Sequence, residues 1–322
     1  MALRDADMPS LLDAANRTDP KGAVAAVAEI LQKDNPILLD MLFIECSRGS
    51  SHMTGVRVRP SKSTSFPKVF NTGMVQSFSE IPAARIQLRN KTAAYYRLPE
   101  ELAAIKEMNQ KFAETIFYGD EAKSPAQFTG LSQYYNDLSA ENATQIIDAK
   151  GTGSNLRSIW IVTWGESTCH GIYPKGTPAG LQIDDLGTTQ LVSGGGTTTA
   201  NWKFFGSHYQ WNLGLVLRDS RFLVRIANID IDEITDAAAS GPNLVRLITN
   251  GLFRLKNMYR GLVAIYMCRE IHKAIYIQQI EAKENSTLTQ MQLYRKGVCN
   301  LTCGGVPLYM TDSLDVPESR VT

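Results

Sequence analysis

Histidines and cysteines are the side chains best suited to bind a metal or attack a carbonyl, so their spacing is weighed first. His52, His170, His208 and His272 stand apart, and none has a second histidine or a carboxylate at ligand spacing on a recognisable helix. Cys169 and His170 are adjacent, but neighbours in a strand point to opposite faces. Cys299 and Cys303 lack the CxxC spacing of a zinc knuckle. With Cys46 and Cys268 the cysteines make an odd, scattered set of five, which implies reduced thiols and no disulfide. The glycines form neither a GxxxxGK[ST] phosphate loop nor a GxGxxG turn. Asn228, Asp230 and Asp232 alternate, so a strand would put their oxygens on one face. The glycine and distal glutamate of a calcium loop are missing, and a solvated strand edge is expected there. No metal, cofactor or catalytic set is predicted.

Two chemistry-bearing readings stay open. One is a cytosolic hydrolase or transferase with a site around Cys169, His170 and Asp184. The other is a single-stranded nucleic-acid-binding protein that stacks bases on Trp202, Phe204, Phe205, Tyr209 and Trp211, with Lys203 and His208 between them. Aromatic residues at this density are more ordinarily core or subunit-contact material.

Charge narrows the field further. The net charge is +1, so no global field argues for nucleic acid or a membrane. No apolar run approaches the roughly 20 residues a membrane span needs, and the first residues show no charged-then-apolar signal pattern. A soluble protein made in the cytosol is expected. Locally the balance differs: from Ser47 to Arg97 nine basic residues face the single acid Glu80. Arg57, Arg59, Lys62, Lys68, Arg85 and Arg89 are the candidates there for contact with another molecule. Val56 to Arg59 and Ala84 to Leu88 alternate like the strands of an extended hairpin, between prolines and glycines that hold no core. Either this is a solvated basic loop or it becomes ordered on a partner.

The elements that must position these groups follow from periodicity. Residues 1 to about 52 read as a mostly helical arm, with a short amphipathic helix over Ala23 to Leu31. The apolar run Ile37 to Ile44 must be covered by the core or by another subunit. Leu98 to Tyr118 predicts a helix with the stripe Leu102, Ile105, Met108, Phe112, Ile116, with Pro99 in its first turn and Gly119 at its end. Thr144 to Ala149 begins another short helix. Ile159 to Trp164 is apolar on both faces, as in a strand covered on both sides. Gly194 to Gly196 reads as surface loop, and Trp211 to Asp232 as alternating strand, with Phe222, Val224 and Ile226 against Arg221 and Arg225. Leu244 to Met258 and Arg269 to Ile280 read as helices, Leu262 to Met267 as a buried strand, and Val306 to Met310 as a strand whose Pro307 suits an edge. The class is α+β, without repeats or a regular βαβ succession.

The order of parts is a helical arm, a basic extended hairpin, a long amphipathic helix, a mixed domain and a late return strand. With it come Phe117-Tyr118-Gly119, Phe128-Thr129-Gly130-Leu131, Gly214-Leu215-Val216, Arg225 to Asp230, Gly304 to Leu308 and Thr311-Asp312. The chain resembles the major capsid protein of tailed bacteriophages over nearly its whole length. The stretch from Pro60 to Ser79 departs from the family's order of pieces. The resemblance implies the phage major capsid fold, with an N-terminal arm at 1–52, an extended β-hairpin loop at 53–96, a peripheral domain with the spine helix at 97–150, an axial domain at 151–299 and a return strand at 300–322. It implies a structural protein rather than an enzyme, self-assembling into pentamers and hexamers of an icosahedral shell around double-stranded DNA. Copies of itself, scaffolding, portal and decoration proteins and non-specifically held packaged DNA are the implied partners, with no membrane. The implied location is the virion capsid, assembled in the host cytoplasm. Lys62 or Lys68 could stand where some relatives form a lysine–asparagine crosslink, but no crosslink is expected, because nothing identifies its partners.

Overall fold

The computed structural model describes residues 35–57, 65–82, 93–140, 142–177, 180–193, 200–235, 241–285, 293–295, 298–300 and 302–322. The helix expected over Ala23 to Leu31, the strand over Ala84 to Leu88, the loop at Gly194 to Gly196, and Arg59, Lys62, Arg85 and Arg89 lie outside the described residues. In chain order the strands are β1 Phe43–Glu45, β2 Ser51–Arg57, β3 Ser65–Pro82, β4 Ile146–Asp148, β5 Leu156–Trp164, β6 Cys169–Tyr173, β7 Leu181–Ser193, β8 Ala200–Leu217, β9 Leu223–Asp230, β10 Leu262–Met267, β11 Leu293–Arg295, β12 Val298–Asn300, β13 Thr302–Cys303 and β14 Val306–Met310. The longer helices are α1 Ala93–Tyr118, α2 Leu244–Arg254 and α3 Arg269–Asn285.

Strand β5 is the centre of the sheet. It runs antiparallel to β10 on one side, with Ile161 opposite Ile265, and to β9 on the other, with Ile161 opposite Val224. Every residue of it is buried, as a continuous apolar run requires when both faces are covered. Helix α2 lies against β9, capped by Asn243, whose side chain accepts from the Arg246 amide at 2.9 Å. Its Leu244, Ile248 and Leu252 enter the core.

Helix α1 carries the expected stripe: Ile105, Met108, Phe112 and Ile116 are buried, and Leu102 is half-buried. Phe112 meets Trp211 of β8 edge-on, with ring centroids 4.9 Å apart. Phe117 reaches Trp160 and Tyr266 at 6.1 and 6.2 Å. The helix stops where the chain must cross itself. The Gly130 amide donates to the Gly119 carbonyl at 2.8 Å, and a Cβ on Gly119 would collide with the Phe128 carbonyl. Its start differs from the expectation. The helix begins at Ala93, so Pro99 is its seventh residue and has no N–H to give the Tyr95 carbonyl; residues 93–97 extend the helix past the boundary expected from the proline.

Several other elements also depart from the periodicity reading. Thr144 to Ala149 is a single 3-10 turn followed by β4, because Ile146 and Ile147 are drawn into parallel pairing with β9. The run from Ile37 forms one helical turn and then β1, and its Ile37, Leu38, Met41 and Phe43 are covered by the chain's own core. Strand β14 lies one place in from the sheet edge, with Pro307 opposite Thr302 of the two-residue β13. Helix α3 runs five residues beyond Ile280.

The basic hairpin shows the largest difference. Strands β2 and β3 pair antiparallel from Ser51 opposite Asn71 to Arg57 opposite Ser65. Strand β3 then continues, and Thr72 to Pro82 pair with Gly214 to Phe204 of β8. Over Thr72 to Pro82 a neighbouring strand of the same chain pairs with the backbone, so this limb is not a bare solvated loop. On its other side β8 pairs with β7, so β3, β8 and β7 form a three-stranded ribbon.

Candidate functional site

Among the described residues no group of three or more His, Cys, Asp or Glu is placed to hold a metal. Cys169 and His170 sit next to each other on β6 and are both buried, with burial pushing the thiol pKa far up and the imidazole down to about 3. Asp184 stands elsewhere, on β7, with an exposed carboxylate 3.8 Å from Nδ1 of His208. The three residues do not converge, so the hydrolase or transferase reading has no site. Cys303 is half-buried, and burial holds the Cys46 and Cys268 thiols up at about 11 and about 12.

The aromatic segment fares similarly. Tyr209 and Trp211 are buried on the face of β8 that packs on α1, so no base can stack on them. Among the described side chains of that run, Lys203 is exposed and Phe204, His208 and Gln210 are partly accessible.

Asn228 and Asp230 do not make a solvated edge, because β9 is flanked by β4 and β5 and both residues are buried, while Asp232 lies past the strand in a helical turn and is exposed. Asn228 adopts a left-handed backbone, φ 60°, and its side chain works as a false strand partner. Its amide donates to the Val321 carbonyl at 2.9 Å, and its oxygen accepts from the Val321 amide at 2.8 Å. Asp230 is buried and accepts from the amides of Gly153 and Asp232.

Sequence reasoning missed the most developed polar cluster in the fold. Arg225 of β9 is buried with its guanidinium 2.7 Å from Glu318 in the C-terminal tail. It also donates to Ser158 Oγ at 3.0 Å and to the Tyr135 carbonyl at 2.6 Å, and lies 5.0 Å from the Trp160 ring. Glu318 accepts from Ser158 and from the Tyr118 hydroxyl at the end of α1. With Arg157 near Asp315 at 3.4 Å, the network ties the tail, α1, β5 and β9 into one unit. In the sequence Arg221 and Arg225 alternate with Phe222, Val224 and Ile226, a pattern that does not show what covers the arginine face. The missing partner was Glu318, 93 residues after Arg225, which periodicity cannot connect.

Of the basic hairpin residues, Arg57 ends β2 and Lys68 follows Pro67 in β3. The Lys68 ammonium lies 4.4 Å from the Tyr134 ring centroid and 5.3 Å from that of Phe70, and burial lowers its pKa. Opposite the α1 side, the ribbon presents Met74 and Phe78 to solvent, and Phe78 stacks on His208 at 4.5 Å. Tyr259, 93% exposed, and Phe253 project near the turn between α2 and β10.

One long helix crosses the sheet, and the C-terminal tail is locked into the core. The fold is that of tailed-phage major capsid proteins. A chain from the structure of bacteriophage Epsilon15 matches with a TM-score of 0.67 and 25% identity, covering 100% of this chain and 99% of that one. The chain belongs to the family of the major capsid protein GP7, whose model matches residues 19–322. Two more distant matches are the capsid of bacteriophage JBD30, TM-score 0.46, 13% identity, over 96% and 100% of the two chains, and an encapsulin from Synechococcus elongatus, TM-score 0.42, 11% identity, over 71% and 97%. No curated protein matches. The protein is a structural component of the virion capsid and not an enzyme.

Proposed function

We propose that this chain assembles into pentamers and hexamers of an icosahedral shell that encloses double-stranded DNA, held non-specifically on its inner surface. The likeness to a phage capsid subunit along the entire length of both chains carries this reading, because a shell subunit needs its arm, hairpin, helix and return strand together. Assembly in the host cytoplasm, with scaffolding, portal and decoration proteins, belongs to the same reading. So does the division into an arm at 1–52, extended loop at 53–96, peripheral domain at 97–150, axial domain at 151–299 and return strand at 300–322.

Within the shell, Arg57, Arg59, Lys62, Lys68, Arg85 and Arg89 are the residues proposed to reach a neighbouring copy. Of the acidic candidates Asp230, Asp232 and Glu233, Asp230 is buried in β9, which leaves the exposed Asp232 and Glu233, or Glu100 and Glu101 in α1, to receive them. Sedimentation of the purified chain, followed by nuclease treatment of particles from infected cells, tests the function. Large closed particles with nuclease-protected double-stranded DNA are expected. A chain that stays monomeric under all assembly conditions, or particles whose DNA is fully degraded, would overturn it.

A further inference from the structure

The base of the β2–β3 hairpin lies over the sheet on a small apolar cluster of its own: Cys46, Phe70, Ile172 and Val216, with Tyr134 at its side. Two histidines stand at this seam. His52 of β2 is directly opposite Phe70, so both point toward the sheet. His170 of β6 is opposite Val216 and shares a face with Ile172. The imidazoles meet edge to face with centroids 6.0 Å apart. His170 is buried with the backbone of Gly165 and Glu166 beside it, and Nδ1 of His52 is buried and makes no hydrogen bond. Arg218, just past β8 and donating to the Glu166 carbonyl at 3.2 Å, adds a fixed positive charge that both rings feel.

We propose that His52, His170 and Arg218 form a pH-responsive joint, at which protonation of the imidazoles in mild acid frees the base of the β2–β3 hairpin from β6 and β8 while the main core stays folded. The groups around the seam favour neutral rings. From β3 comes the Lys68 ammonium over Tyr134, and from the segment after β1 the neutral Cys46 thiol. The acids nearby are engaged or turned out: Glu45 accepts from the Gly176 amide, Glu121 from Asn71 and Thr129, and Asp219 is paired with Arg221, while the Glu166 side chain is exposed. Burial lowers both histidine pKa values, and each is lowered further by Arg218, that of His170 also by His52; the backbone of Gly165 and Glu166 offsets only part of this for His170.

The sign follows. A histidine whose pKa is depressed in the closed state stabilises that state above about pH 6.5, and the stabilisation is lost as pH falls toward the closed-state value of about 3. For His170 alone the opening constant rises about 30-fold between pH 7.5 and pH 5.0. The opening acts at the hairpin because its cluster is separate from the main core.

Hydrogen exchange of the full chain, corrected for intrinsic rates, reads this directly. Peptides covering Ser51–Arg57 and 65–71 should lose protection by about 30-fold or more between pH 7.5 and 5.0, while Leu156–Trp164 stays protected. His170→Gln should flatten the response, and His52→Gln should reduce it; if His170→Gln fails to fold, His52→Gln carries the comparison. The proposal is overturned if the hairpin and β5 lose protection together, if the hairpin does not respond, or if the response survives in the variants unchanged.

Discussion

Arg225 and Glu318 show what the sequence pattern could not convey at the scale of single residues. Alternation along β9 marks Arg225 as outward only if one face of the strand is bare; here both faces are covered, and the second is closed by a carboxylate from the tail. Removing one partner leaves the other charge buried and unpaired, so Glu318→Met or Arg225→Met should each destabilise the subunit by about 3 to 5 kcal/mol. The double replacement Arg225→Met with Glu318→Met should recover much of that loss, because apolar groups need no counter-charge. Urea denaturation of the three variants measures both statements; additive losses would show that the pair is not coupled. Asn109 makes the opposite case. It is fully buried in α1 with both amide atoms unpartnered, which costs about 1 to 3 kcal/mol. Asn109→Leu should therefore raise the melting temperature, and a fall would mean that the amide holds a partner unseen in the free subunit.

At the scale of elements, what was legible was what a local pattern determines. The α1 stripe, the β5 run and the α2 stripe as far as Leu252 were readable, since burial there repeats at the period of the element itself, although α2 ends at Arg254, short of the expected Met258. Strand β3 was not readable. Its Thr72 to Pro82 limb offers serines, a glycine and exposed Met74 and Phe78, and is a strand because β8 supplies the ladder. The start of α1 misled for a different reason: proline usually opens a helix, and the residues before Pro99 continue it instead. Phe112 tests the assignment of α1. It is buried against Trp211 and Phe128, and Phe112→Ala should cost about 3 to 5 kcal/mol and leave mostly insoluble subunit. A soluble variant with an unchanged melting point would mean that the stripe bears no load.

For the whole molecule, the order of parts proved more informative than any motif. The hydrolase or transferase reading loses its residues because Asp184 on β7 stands apart from Cys169 and His170 on β6, which spacing along the chain does not reveal. The proposed basic contacts stand at this scale too. Each exposed ion pair contributes about 0 to 1 kcal/mol, yet a closed shell repeats the contact in every subunit. Reversing Arg57 and Arg59 to Glu should leave a folded, soluble subunit by circular dichroism and impair particle formation by sedimentation, with partial restoration when an acidic partner is reversed. Normal particles would show that these charges do not join subunits. The central claim, that this chain builds the shell, is tested most directly by cryo-electron microscopy of the assembled particle. The account predicts density for this fold in rings of five and six around icosahedral axes, with the β2–β3 hairpin reaching a neighbouring copy. A shell built from another chain, or a particle in which this subunit occupies only isolated external positions, would contradict it.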